Sequence, residues 1–185
     1  MSRAFVREPD GDTPPEPLAE TPVSPHRNLV TPRGLALLRA ELARLDAALA
    51  DSAMGDSAGG EQNAETGDGH SPASHFSRDR RYIARRLATA EPVVVPAAAE
   101  GAQTVSFGCA VTLDLANGRR VSWRIVGEDE ADPAHGRIAW TAPVAGLLIG
   151  LGVGDEVRLP AGMAEVVSVD PTPEPVPDPP AGDPA

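Results

Sequence analysis

The spacing of apolar residues changes once along this chain, and that change limits what each half can fold into. Between Thr31 and Ala90 the apolar residues recur three and four apart, at Leu35, Leu38, Leu42, Leu45 and Leu49, and again at Phe76, Ile83, Leu87 and Ala90. A three-four alternation is a seam on one face of a helix that lies lengthwise on another helix, as in a coiled coil. Beyond Gln103 the period is two: Val111, Leu113 and Leu115, then Val121, Trp123 and Ile125. Residues two apart share one face of a strand, so this half reads as sheet. Pro92 and Pro96 mark the boundary in a linker, 92–103, because proline lacks the N–H that either ladder needs.

The helical half, 30–91, reads as an antiparallel hairpin. Thr31-Pro32 opens it, since Thr caps a helix and Pro fits its first turn. The connector 51–76 is rich in glycine and serine and holds Pro72, so the spacing predicts two arms of about 14–20 residues, roughly 20–30 Å each. Arg80 stands where the return helix would otherwise continue its apolar seam, with its charge snorkelling to water.

Residues 104–169 read as a small α+β domain of antiparallel strands with one helix. Asn117-Gly118 offers a hairpin turn, Arg137–Trp140 a short strand, and Pro143 a helix start that ends at Gly150. Val153-Gly154-Asp155 turns into Glu156–Leu159, and Met163–Val169 closes the sheet.

Six prolines in 1–29 and seven in 170–185 leave both ends to be read as disordered, Pro-rich tails. The net charge of −11 excludes bulk attraction to a phosphate backbone. It is uneven: 77–91 carry five Arg against two acids, whereas 50–76 carry five acids and no Arg. One cysteine, Cys109, excludes an internal disulfide and reads as a core thiol. No window approaches the ~18 apolar residues of a membrane span, and Met1–Asp10 lacks a signal-peptide core, so a soluble, cytoplasmic, monomeric chain is expected.

Four further runs stand in order: Val105-Ser106-Phe107-Gly108, Ile125–Asp132 (IVGEDEAD), Thr141–Gly150 (TAPVAGLLIG) and Val153-Gly154-Asp155. Together they resemble the C-terminal domain of the bacterial GreA/GreB transcription elongation factors. Leu29–Leu35 (LVTPRGL) resembles that family's hairpin start, and Arg80–Ala90 its return helix. The resemblance implies an FKBP-like fold for 104–169, docking on RNA polymerase at the rim of its secondary channel, and a hairpin entering that channel. It departs at Ala142, where the family usually has a capping serine.

The resemblance also supplies candidate sites. Gly127, Glu128, Asp129, Glu130 and Asp132, with Pro143 and Leu147, would form the polymerase-docking surface. Read on their own chemistry, the four crowded carboxylates are a solvated acidic turn or a hard-cation site. At the hairpin tip, family members hold a second Mg²⁺ of the polymerase active centre with two acids, and the polymerase then hydrolyses backtracked RNA. Mg²⁺ suits that role because it takes one or two carboxylates and keeps its waters. Here the tip elements are spread out, and Asp56, Glu61 and Glu65 are the candidate ligands, with no cofactor of the chain's own. Arg78, Arg80, Arg81, Arg85 and Arg86 are either a solvated helix face or a contact to nascent RNA or other nucleic acid. His70 and His75 read as solvated loop histidines rather than a zinc site.

Three functions follow. The first is an accessory elongation regulator at the secondary channel that stimulates RNA cleavage by the polymerase. The second is a non-cleaving channel regulator resembling the regulators of nucleoside diphosphate kinase. The third is an FKBP-like prolyl isomerase, which would need an aromatic-lined pocket from Phe107, Trp123 and Trp140.

Overall fold

The computed structural model describes residues 18–57, 71–94 and 104–177. Strand β1 (Leu29–Val30) leads into helix α1 (Pro32–Ser57), and helix α2 (Pro72–Ala88) returns to strand β2 (Glu91–Pro92). β1 and β2 pair in parallel, so the two ends of the hairpin are tied together at its base. Leu38 and Leu45 of the seam are buried, and Leu45 has no exposed surface at all. Ser71 caps α2 by accepting the Ser74 N–H, with Pro72 in the first turn.

The connector is shorter than its composition suggests. α1 runs on through Asp51–Ser57, and α2 already includes 72–76. One glycine inside a helix costs only about 1 kcal/mol, which Gly55 shows is tolerable where Ala53 and Met54 precede it. The Ser52 hydroxyl also donates back to the Ala48 carbonyl at 2.8 Å instead of competing for the backbone elsewhere. Residues 58–70 lie outside the described part, and with them Glu61, Glu65 and His70.

The C-terminal sheet comprises β3 (Ala110–Leu115), β4 (Arg120–Val126), β5 (Arg137–Ala139), β6 (Glu156–Leu159) and β7 (Gly162–Asp170), in the order β5-β4-β3-β7-β6. Four strands are antiparallel neighbours, as the alternation predicts, but β5 joins β4 in parallel. Its direction follows from the connection: two single-turn 3-10 helices, Glu128–Glu130 and Pro133–His135, carry the chain back before β5 begins. One face of the sheet buries Val111, Leu113, Ile125, Val157 and Val166 beneath helix α3 (Pro143–Leu148), which contributes Ala145 and Leu148. Val166 and Val169 both face this core although they are three apart. A bulge in the pairing of β7 with β3 between Thr112 and Leu113 supplies the odd residue.

The α3 helix forms without a side-chain cap at Ala142. Thr141 does not replace one, because its hydroxyl donates to Glu128 instead. Cys109 is buried in the core, with the Ser106 hydroxyl 3.2 Å from its sulfur.

Residues 18–28 and 171–177 have no regular structure, yet they are not simply solvated. Glu20 pairs with Arg81 and Arg85, and Asn28 is buried, donating to the Arg86 carbonyl. Glu174 pairs with Arg137. Polar side chains anchor these stretches, which is why a reading based on scarce apolar residues passed over them. Likewise Glu91 and Pro92, at the start of the expected linker, form a strand.

Because Leu45 is sealed between the two helices, truncation leaves a cavity that the hairpin cannot readily close. Leu45→Ala is expected to destabilise the fold by about 2–5 kcal/mol, read from urea unfolding followed by circular dichroism.

Candidate functional site

The acidic turn after β4 is the feature around which the hairpin and the sheet domain meet. Gly127 begins it, buried against β1: a Cβ there would lie 2.6 Å from the Leu29 carbonyl oxygen. Only glycine lets the two backbones approach this closely. A Cβ on Gly34 of α1 would likewise lie 2.7 Å from Glu130 Oε2.

The carboxylates that follow are spent inside the molecule. Glu130 is 7% exposed. It accepts a hydrogen bond from the Thr31 hydroxyl and an ion-paired bond of 3.0 Å from Arg33 Nη1. Thr31 in turn accepts the Gly34 N–H at 2.8 Å, the helix cap its sequence position predicts. A carboxylate is thereby held at the N-terminal end of α1, where the helix dipole favours negative charge.

Glu128 and Asp129 face the return helix. Arg86, whose side chain is 1% exposed, donates from Nε to Asp129 at 2.6 Å and from Nη2 to Glu128 at 3.3 Å. Its Nη1 is buried without a partner. Glu128 also accepts from Ser24 at 2.9 Å and from Thr141 at 3.2 Å. Tyr82, one turn before Arg86, donates its hydroxyl to Asp129 at 2.8 Å. Burial, then that hydrogen bond and the Asp129 charge, push the Tyr82 phenol up to about 12. Asp129 as a residue is exposed because its backbone is on the outside of the turn, while its side chain is only 13% exposed.

The solvated-turn reading is therefore corrected for Glu128 to Glu130: they are the counter-ions of the hairpin base. No group of three or more His, Cys, Asp or Glu is placed to hold a metal among the described residues. Asp132 is set apart and pairs with His135, whose hydrogen bond holds its carboxyl below the usual range. Pro143 and Leu147 lie on the exposed side of α3, and Ile149 and Val153, which follow it in the chain, are exposed as well.

The five arginines of α2 also separate. Arg86 is enclosed and withdrawn from any surface contact. Arg80 pairs with Asp46 of α1, Arg78 with Asp79, and Arg81 and Arg85 with Glu20 at 2.6 and 3.1 Å. Exposed pairs of this kind are worth at most about 1 kcal/mol, so a stronger anion can displace them. Asp56 sits in the last turn of α1. The cavity at the hairpin base, lined by Thr31, Pro32, Arg33, Val93, Gly108, Arg124, Pro173 and Glu174, has no aromatic wall for a prolyl ring.

Tyr82 and Arg86 escaped the sequence reading in these roles. Their signal is faint: a four-residue spacing that puts a phenol and a guanidinium on one helix face, complementary to a distant acidic run.

Two outcomes follow. Arg86→Met removes the enclosed cation and leaves the part-buried carboxylates of Glu128 and Asp129 without their counter-ion. It is expected to cost up to about 3 kcal/mol in denaturant unfolding. The chain has one tyrosine, so absorbance at 295 nm reports Tyr82 alone. The folded protein should titrate at about 12. The Tyr82 contribution to stability is intact below the unfolded value of about 10 and is lost as pH rises toward the folded one. Asp129→Ala should lower the midpoint part of the way, since burial remains.

Comparison with known proteins places this architecture. The family profile described as "Transcription elongation factor, GreA/GreB, C-term" matches residues 100–171. Transcription elongation factor GreB of Neisseria meningitidis is 34% identical over 148 residues, covering 76% of this chain and 90% of that protein. Transcription elongation factor GreA of Methylococcus capsulatus is 35% identical over 150 residues, covering 76% and 95%. Among solved structures, GreA/GreB from Nitrosomonas europaea aligns over 77% of this chain and 98% of that one, at 21% identity and a TM-score of 0.34, so the assignment rests on the sequence relatives. The chain belongs to the GreA/GreB family of transcription elongation factors.

Proposed function

We propose that this protein binds bacterial RNA polymerase and acts through its secondary channel, with the sheet domain at the rim and the hairpin inside. The observation that carries this reading is the rigid seating of a long helix: α1 has 26 residues, about 39 Å at 1.5 Å per residue. Its base is fixed by Glu130, Arg86 and the β1–β2 pair, and its far end carries Asp56. A rod anchored at one end and acidic at the other is suited to carrying carboxylates to a buried active centre.

The docking surface in this proposal is apolar rather than acidic. Leu147, Ile149 and Val153 are 46%, 41% and 59% exposed, next to Pro143, and exposed apolar side chains grouped in this way suit a protein partner. Glu128, Asp129, Glu130 and Gly127 serve it indirectly, by fixing the angle at which the hairpin leaves the domain. Arg78, Arg80, Arg81 and Arg85 are left to meet nascent RNA. At the distal end Asp56, with Glu61 and Glu65, would share a Mg²⁺ with the polymerase, and that ion would supply the hydrolytic water.

Leu147→Asp is expected to lower polymerase capture at least 10-fold without loss of fold; unchanged capture would remove α3 from the interface. On backtracked elongation complexes, the wild-type protein should accelerate RNA shortening, and Asp56→Asn with Glu61→Gln should abolish the acceleration. Capture without any shortening by the wild type would instead identify a channel regulator that occludes but does not stimulate cleavage.

A further inference from the structure

The segment after β7 is tied to the fold at the Thr172 backbone and, further along, through the Glu174 carboxylate. The Arg137 fork reaches Glu174 twice, with Nη2 at 2.8 Å from Oε1 and Nε at 3.2 Å from Oε2. Arg124 Nε and Arg33 Nε each stand 4.0 Å from Glu174 Oε2. Arg124 is itself fixed, donating from Nη1 to the carbonyls of Gly108 at 2.7 Å and Thr172 at 2.9 Å. The Thr172 N–H is held by Asp170 Oδ1 at 2.9 Å, which sets the path of the chain leaving β7. All three guanidiniums are mostly enclosed, with 22%, 14% and 21% of the side chain exposed for Arg33, Arg124 and Arg137.

We propose that the C-terminal segment is a cis-acting clasp: Glu174 is the resident ligand of a carboxylate-binding cradle made by Arg33 of α1, Arg124 of β4 and Arg137 of β5. Its seating holds the base of the hairpin against the sheet. The composition of the cradle supports a dedicated site. Besides Glu174, the carboxylates within 4 Å of these arginines among the described residues are Glu130, 3.0 Å from Arg33, and Asp170, 3.9 Å from Arg124. Without Glu174, Arg137 loses its bidentate partner and keeps only the longer-range attraction of Glu130 and Asp132. A forked guanidinium gripping both carboxylate oxygens is the geometry in which a partly enclosed ion pair is strongest. The prolines at 171, 173 and 175 keep the segment extended before it binds, which lowers the entropy lost on seating. Arg33 belongs to the hairpin and the other two to the sheet, so the carboxylate bridges the two parts. The clasp does not depend on what the protein binds.

The test uses the full chain with Glu174→Gln, which keeps shape and removes charge. Backbone relaxation at the amides of Glu174 and Val176 should give order parameters near 0.85 in the wild type and below about 0.6 in the variant, while Thr172 stays ordered through Asp170 and Arg124. Spin labels at Ala43→Cys on α1 and Asn117→Cys in the β3–β4 turn then report the hairpin against the sheet, since buried Cys109 is shielded from labelling. The distance distribution should broaden in Glu174→Gln. Unchanged order at 174–176 would overturn the site. A freed segment with an unchanged distance distribution would overturn the clasp.

Discussion

A single enclosed guanidinium governs how the two halves of this molecule face each other. Arg86 leaves the return helix and ends between Glu128 and Asp129, one residue beyond the glycine where the sheet domain touches β1. Charges withdrawn from water in this way cost several kcal/mol each, and the cost is offset only when every partner is in place. The arrangement therefore tolerates little variation in hairpin angle. Thr31 and Arg33 repeat the pattern at the other helix, so each arm of the hairpin is pinned by its own carboxylate.

That pinning explains why acids which look like a surface feature in the sequence do internal work in the fold. A run such as Glu128–Glu130 has no apolar content to mark it as buried. Its carboxylates are covered because guanidiniums 42 to 97 residues away reach them. What the clamp leaves exposed beside it is the apolar outer side of α3, with Leu147 and Ile149 in solvent.

Much of the architecture was legible before any coordinates. The seam through Leu38 and Leu45, the alternation through Val111, Leu113 and Ile125, and the Thr31-Pro32 cap each encode local geometry, and each appears where its period places it. What was not legible depends on long-range charge pairing. The anchoring of Glu20 and Glu174, the enclosure of Arg86 and the parallel entry of β5 have no periodic signature. Composition also misjudged Asp51–Ser57, where glycine and serine suggested a loop and the helix continues regardless.

Every cation in these clamps is an arginine, and the chain contains no lysine at all. A guanidinium stays protonated at any pH a cell reaches, so the cationic half of each clamp keeps its charge. Acetylation and other amine-directed chemistry find no side chain to neutralise at the junction. The junction between hairpin and domain is thus deaf to the commonest charge-erasing modification of side chains.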